Sequence, residues 1–278
     1  VDLESLWTAL DEHLLPLLLD YRGRLSALDV VEKSDRTLLS EADIAAQRMI
    51  VDTILEHYPD SGFVAEEDDE QLPRTGSPTW VVDPIDGTAE FLAPGSREYC
   101  SVVCRLDEGR PTGAYVLAPE LATGGGPVRV HWAGQVQVNG SAAVAMPTPD
   151  VPARASVTRS RGTDARPFEA ELDRIGSRVK LRTTSQTLDM LRTSIDVSDV
   201  TGAPQEQFDV FYRASQKIWD GAAGIGLSTA MGRLAVGTDG EDLLPFGEDL
   251  LAQREPTLAG SLVGAPGCVR WLVEAMRS

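Results

Sequence analysis

Trp80-Val81-Val82-Asp83-Pro84-Ile85-Asp86-Gly87-Thr88 runs apolar, turns, and delivers two carboxylates and a hydroxyl within six residues. Val81 and Val82 are β-branched and follow the Gly/Ser/Pro-containing loop Arg74 to Pro78, so the stretch reads as a buried strand. Pro84 has no backbone N–H and is expected to end that strand, which leaves the acids at its exit. Gly87 lets the backbone approach a ligand closely, and a helical turn starting at Thr88 would turn free N–H groups toward an anion. The pattern suits a metal and phosphate site. Asp and Gly also dominate ordinary turns and calcium loops, so D-x-x-D-G-T alone leaves those alternatives open.

The chain's 278 residues can bury a large core, as one domain or as two closely packed halves. Hydrophobic content of 42% and charged content of 24% are those of an ordinary globular protein. The net charge of -18 is not ordinary. It argues against a nucleic acid polymer or an anionic membrane as partner, because both require a basic surface. An anionic substrate is compatible with this charge if bound divalent cations reverse the local sign. Cys100, Cys104 and Cys268 have no metal-ligand spacing and read as small core side chains in a reducing compartment. Leu14 to Leu19 is too short to cross a bilayer, contains Pro16 and lacks a preceding basic region, so a cytoplasmic location is expected.

Leu3 to Arg22 carries a helical apolar stripe that Pro16 is expected to kink or divide. Ser40-Glu41-Ala42-Asp43 opens a second helix in capping-box fashion, with Pro59 after its end. Ser61 to Ala65 reads as a strand running into the acidic residues 66–70, of which Glu66 and Glu67 stand at the strand's end. Strands Ser101 to Leu106, Thr112 to Leu117 and a pair within Val128 to Val138 predict a largely antiparallel sheet in the first half. Ser141 to Pro152 reads as the connection, dividing residues 1–145, an α+β half, from 146–278, an α/β half. In the second half, strands are expected at Ala155 to Thr158, Val179 to Leu181, Phe208 to Tyr212 and Arg233 to Val236. Helices are expected near Ala165 to Ile175, Thr187 to Thr193, Trp219 to Met231 and Cys268 to Met276, with a loop at Asp196 to Gln205.

Three acidic places are comparable: Glu66 after one strand, Asp83 and Asp86 after the next, and Asp220 opening a helix. Four convergent carboxylates would suit a hard cation such as Mg²⁺, which takes oxygen ligands. Each also has an ordinary alternative: surface charge for Glu66, turn formation for Asp83 and Asp86, helix-terminal charge for Asp220.

Taken together and in order, Lys33-Ser34-Asp35 with Ser40-Glu41-Ala42-Asp43, Ala65-Glu66-Glu67, Trp80 to Phe91 (WVVDPIDGTAEF) and Trp219 to Gly224 (WDGAAG) resemble the inositol monophosphatase superfamily, across nearly the whole chain. That resemblance implies a layered αβαβα sandwich, a lithium-sensitive, Mg²⁺-dependent phosphomonoesterase with two or three ions per site, a small phosphorylated metabolite as substrate, and a homodimer. By the same resemblance Glu66, Asp83 and the carbonyl of Ile85 hold one metal, and Asp83, Asp86 and Asp220 a second. A weaker third ion is implied beside Glu66, with Glu67 a less certain ligand. The resemblance also gives phosphate to the backbone N–H groups of Gly87 and Thr88, water positioning to Thr88 and Glu66, and orientation of Thr88 to Asp43.

Several positions depart from the family pattern. Arg213, seven residues before Asp220, stands where inositol monophosphatases usually place a Glu that contacts inositol hydroxyls. An Arg there suits relatives that handle bisphosphates. The family's substrate turn is altered to Thr183-Thr184-Ser185, which makes Ser185 and Arg213 the candidate substrate-pocket residues, and Asp196 to Gln205 reads as an insertion. Ser160-Arg161 faintly resembles the 3′(2′),5′-bisphosphate nucleotidase branch. The readings carried forward are a phosphomonoesterase for a sugar or polyol phosphate, a bisphosphate nucleotidase, and a metal-binding regulatory homologue without turnover.

Overall fold

The structure, a computed structural model, describes residues 2–32, 38–67, 70–159, 164–202 and 206–277. Lys33-Ser34-Asp35 and Ser160-Arg161 lie outside the described residues, as do residues 203–205 of the expected loop. The first half runs α1 (Leu3–Gly23), β1 (Val30–Glu32), β2 (Leu38–Ser40), α2 (Glu41–His57), β3 (Gly62–Ala65), β4 (Thr79–Asp86), α3 (Thr88–Leu92), β5 (Cys100–Asp107), β6 (Arg110–Ala118), β7 (Val128–Ala133), β8 (Gln135–Val138), β9 (Ser141–Ala142) and β10 (Val144–Ala145). The second runs β11 (Arg154–Arg159), α4 (Glu169–Arg174), β12 (Arg178–Arg182), α5 (Gln186–Ser194), β13 (Ile195–Asp196), α6 (Ser198–Thr201), β14 (Val210–Arg213), β15 (Gln216–Lys217), α7 (Ile218–Ala230), β16 (Leu234–Val236), α8 (Glu248–Leu251), β17 (Thr257–Leu258), β18 (Ser261–Gly264) and α9 (Pro266–Arg277).

Among the described residues, β3 to β9 form a seven-stranded sheet in sequence order, parallel only between β3 and β4. A five-stranded sheet has the order β12-β11-β14-β18-β16, with β11 parallel to both neighbours. Strand period explains the layers. Trp80 and Val82 point to one face of the first sheet and pack with Leu6, Trp7 and Leu10 of α1 and Ile50 of α2; Val81 points to the other, against α5 and α7. Phe211 and Val263 of the second sheet close that middle layer, while Val157, Tyr212 and Leu262 pack outward on α4 and α9. The order is therefore helices, sheet, helices, sheet, helices: the αβαβα sandwich.

Four expectations are corrected. Helix α1 runs through Pro16 undivided, because its stripe of Leu6, Trp7, Leu10, Leu14 and Leu18 is buried and outweighs one lost backbone bond. Pro84 does not end β4, which continues to Asp86. The ladder to β5 shifts there, Asp83 opposing Val102 and Asp86 opposing Cys100, so a proline without an N–H falls where regular pairing is interrupted. Asp196 to Gln205 holds the short helix α6 and ends of β13 rather than loop alone. Strand β18, between β14 and β16, falls between Val236 and Cys268, where no strand is expected; Gly260 precedes it and Gly264 is its last residue.

Candidate active site

The bulge in β4 decides the geometry. Residues three apart on a regular strand face opposite ways, but three positions of β4 oppose two of β5 between Asp83 and Asp86. The extra residue turns both carboxylates the same way. Gly87 then adopts φ +95°, a left-handed conformation, and a side chain there would press on the carbonyl of Glu98 at 3.1 Å. Helix α3 starts at Thr88, and its first N–H groups have no partner within the helix.

Asp220 comes from the other half, in the first turn of α7. Helix α7 carries Gly224, where a Cβ would lie 2.9 Å from Met190 Cβ, so a side chain there would push α5 and α7 apart. One oxygen from each of Asp83, Asp86 and Asp220 then lies within 4.8 Å of the others. Glu66 extends β3 beside Asp83, its N–H donating to the carbonyl of Val82 (3.1 Å), and it lines the same cavity.

These acids are not equivalently supported. Asp86 accepts from Ser185 Oγ (2.7 Å) and the backbone N–H groups of Thr187 (2.7 Å) and Gln186 (3.2 Å), so the N-terminus of α5 is aimed at it. Asp220 accepts from Gln186 Nε2 (2.6 Å). Asp83 is 1% exposed, and no N–H or hydroxyl group among the described residues donates to either of its oxygens. Burial raises its carboxyl well above the usual range, and Glu66, Asp86 and Asp220 add to the rise. Asp220 is raised well above its range by burial, Asp86 and Glu66, with Arg213 opposing; Asp86 is raised by burial against its hydrogen bonds. A buried carboxylate facing other carboxylates without a donor is costly unless a cation completes it. An all-oxygen set of this kind fits a hard divalent cation.

Thr88 Oγ1 lies 3.3 Å from Asp43 Oδ1 and 3.2 Å from the carbonyl of Ile85. The other oxygen of Asp43 accepts from Ser40 N (2.8 Å) and Oγ (2.6 Å), so one carboxylate caps α2 and reaches Thr88. Ile85, Gly87, Thr88 and Arg213 all line a cavity of roughly 800 Å³ with the acids. Glu67 is buried and its backbone is held by Gln47 on both sides (2.8 and 3.0 Å); it is not in the three-acid group. Ser185 does not fit its expected place. It is fully buried, donates to Asp86 and accepts from Leu188 N as the cap of α5, so it supports an acid instead of meeting substrate.

Sequence reading missed Gln186. Its amide joins a relay from Ser261 Oγ to Gln216 Oε1 (2.7 Å), from Gln216 Nε2 to Gln186 Oε1 (3.2 Å), and on to Asp220. The N-cap pattern at Ser185 was a signal that a helix begins there, but nothing local says that it points at Asp86.

The family pattern described as the inositol monophosphatase family matches residues 8–267. The chain belongs to this family. Among relatives, it is 28% identical over 219 residues to the Nus factor SuhB of Xylella fastidiosa, covering 75% of this chain and 72% of that protein. It is 35% identical over 96 residues to the 3′(2′),5′-bisphosphate nucleotidase CysQ of Escherichia coli, a match spanning 34% of this chain and 39% of that one. A solved IMPase/NADP phosphatase complexed with Mg²⁺ and phosphate superimposes with a TM-score of 0.72 at 16% identity, over 98% of this chain and 96% of that chain. Membership makes this chain a phosphatase of a metal-dependent family, and the group of buried Asp83 and Asp86 with half-buried Asp220 is the matching feature in its own structure. None of its described helices is long and apolar enough to cross a membrane.

Proposed function

We propose that this chain is a Mg²⁺-dependent phosphomonoesterase acting on a small phosphorylated metabolite, with Asp83 at the centre of its metal site. The unpartnered, buried carboxylate of Asp83 beside Asp86 and Asp220 carries this reading. Mg²⁺ and phosphate in the structurally similar IMPase/NADP phosphatase support it. Asp83, Asp86, Asp220, Glu66 and the carbonyl of Ile85 would hold two ions, and Glu66 would also serve a weaker third, with Glu67 a further candidate ligand. When bound, divalent cations supply Lewis-acid chemistry, making water acidic enough to attack near neutral pH and offsetting charge on the departing oxygen.

The protein's own groups do the positioning. The Thr88 hydroxyl, held by Asp43 and the Ile85 carbonyl, keeps lone pairs free to accept from a water. Glu66, on the same wall of the cavity, accepts the other proton. The N–H groups of Gly87 and Thr88 receive phosphoryl oxygens at the start of α3, where backbone dipoles favour negative charge. No covalent attachment to the chain is required. Arg213 stands in the cavity where an inositol-directed member has an acid, which favours bisphosphate nucleotidase-like substrates over inositol 1-phosphate. A homodimer, lithium inhibition and a cytoplasmic location belong to the same reading.

The test is phosphate release with and without Mg²⁺ across inositol 1-phosphate, 3′-phosphoadenosine 5′-phosphate, histidinol phosphate, fructose 1,6-bisphosphate and other sugar phosphates. Release from at least one, abolished by EDTA, is expected. No release from any of them while Mg²⁺ is bound would instead indicate the regulatory homologue.

A further inference from the structure

We propose that Gln186 is a positioning residue of the metal site: backed by Gln216 and Ser261, it fixes the Asp220 carboxylate opposite Asp86 and so sets how small an ion the acids accept. The inference rests on the metal-dependent phosphatase reading and concerns residues that serve the ligands rather than the ion.

Gln186 reaches both acids at once. Its backbone N–H donates to Asp86 Oδ1 (3.2 Å) and its side-chain amide to Asp220 Oδ2 (2.6 Å). Thr187 repeats the pattern, with its N–H on Asp86 (2.7 Å) and its hydroxyl on the backbone carbonyl of Asp220 (3.2 Å). Asp86 comes from β4 and Asp220 from α7, so the first turn of α5 is the common frame that sets the space between an acid of each half. A backbone N–H is fixed by the helix. A glutamine side chain keeps its rotamer freedom unless its far end is held.

The far end is held, and in one sense. Ser261 Oγ donates to Gln216 Oε1 (2.7 Å), which turns the Gln216 NH₂ group toward Gln186 Oε1 (3.2 Å) and leaves the Gln186 NH₂ group facing Asp220. All three side chains are buried, and Ser261 is seated on β18 in register with Arg213 of β14. Every member of the run is neutral. A lysine or arginine at 186 would also donate to Asp220, but its charge would offset the one on which a cation depends. The amides orient the carboxylate and leave its charge in place. Gly221, directly after Asp220, makes the room for this. A Cβ there would lie 2.8 Å from Gln216 Oε1 and 3.0 Å from its Cδ, in an amide already fixed at both ends. The run stops on an acid that shares the group with Asp83 and Asp86. Mg²⁺ demands near-octahedral oxygen ligands at about 2.0–2.1 Å, whereas Ca²⁺ accepts about 2.3–2.6 Å and looser geometry. A carboxylate free to swing therefore loses more for Mg²⁺ than for Ca²⁺.

The experiment titrates Mg²⁺ and Ca²⁺ separately into metal-stripped protein by calorimetry, with the Tm of the metal-free samples as a check on folding. Gln186→Met keeps the length of the side chain and removes the amide. It should weaken Mg²⁺ binding by roughly 10- to 100-fold, the range for groups that orient metal ligands, and Ca²⁺ binding by less. Gln216→Met does not touch Asp220 and should still move the Mg²⁺/Ca²⁺ affinity ratio the same way, by roughly 3- to 10-fold. Gly221→Ala displaces the Gln216 amide while deleting no polar atom and raising helix propensity, so it carries the test should Gln216→Met fail to fold, with the same shift in ratio expected. Variants that weaken both ions equally, or that keep the wild-type ratio, would overturn the inference and leave the relay a packing feature. Wild-type protein that binds no Mg²⁺ would overturn the metal reading as well, whereas Mg²⁺ bound equally by wild type and Gln186→Met would overturn the positioning role alone.

Discussion

Replacing Asp83 by Asn should make the metal-free protein more stable while removing its activity. Asp83 is buried, has no donor to either oxygen among the described residues, and faces Glu66, Asp86 and Asp220. An isolated carboxylate in such a place costs several kcal/mol even after relaxation. Asparagine is nearly isosteric and removes the charge, but its amide also needs partners, so a net gain of about 2 kcal/mol is expected. For a chain of this size that corresponds to roughly 3–4 °C in Tm. Mg²⁺ should reverse the order. At an ion concentration of about 100 times Kd the wild type gains about 2.7 kcal/mol, whereas the variant, lacking a shared ligand, gains little. Scanning calorimetry in EDTA and in Mg²⁺ makes both comparisons on the same samples. A lower Tm for Asp83→Asn in EDTA would refute the reasoning, because Asp83 would then be a structural anchor. An unchanged response to Mg²⁺ would refute it as well.

The pH dependence of the metal-free chain has a definite sign. Asp83, Asp86 and Asp220 are all raised in the folded state, by burial first. Groups raised in this way favour folding below the ordinary carboxylate pKa of about 4, and that contribution is lost as pH rises through their folded values. Tm in EDTA should therefore fall from pH 4 toward neutrality, and Mg²⁺ should restore more stability at pH 7 than at pH 5; calorimetry across pH checks this. Thr88→Ala should lower kcat by roughly 10²-fold or more with Tm changed by only a few degrees, since the hydroxyl positions water and lies on a five-residue helix. Arg192→Met should cost roughly 2–4 kcal/mol by denaturant titration. It breaks a two-bond pairing with Glu98 (2.6 and 2.9 Å) that ties α5 to the segment leading into β5, and it leaves buried Asp189 with one cation fewer.

Much of the site could be read before any coordinates. Asp83, Asp86, Gly87 and Thr88 lie within one stretch, and local chemistry alone marks a strand, a glycine where the backbone is open to a ligand, and a helix start. Helix α2 was visible through Ser40 and Asp43, whose hydrogen bonds are local. What escaped depends on long-range geometry. Pro84 reads as a strand end because its lost donor is a local fact, whereas the bulge that accommodates it is set by pairing with β5. Strand β18 owes its place to β14 and β16 on either side, and four residues, the last of them a glycine, carry little signal of their own. Ser185 and Gln186 show the same division. Their helix is legible, but its aim at Asp86 and Asp220 follows from α5 packing on α7 through Gly224. Arg213 could be singled out by position, and the structure places it in the cavity with the acids.

The central claim is that Asp83, Asp86 and Asp220 work as a metal site for phosphate ester hydrolysis. It is tested most directly by titrating Mg²⁺ into EDTA-treated wild type and Asp220→Asn while following heat of binding and phosphate release from the substrate panel. The account predicts that release by the wild type begins only as Mg²⁺ binds, and that Asp220→Asn loses both together. Phosphate release at full rate in EDTA, or by Asp220→Asn with Mg²⁺ binding unchanged, would contradict it.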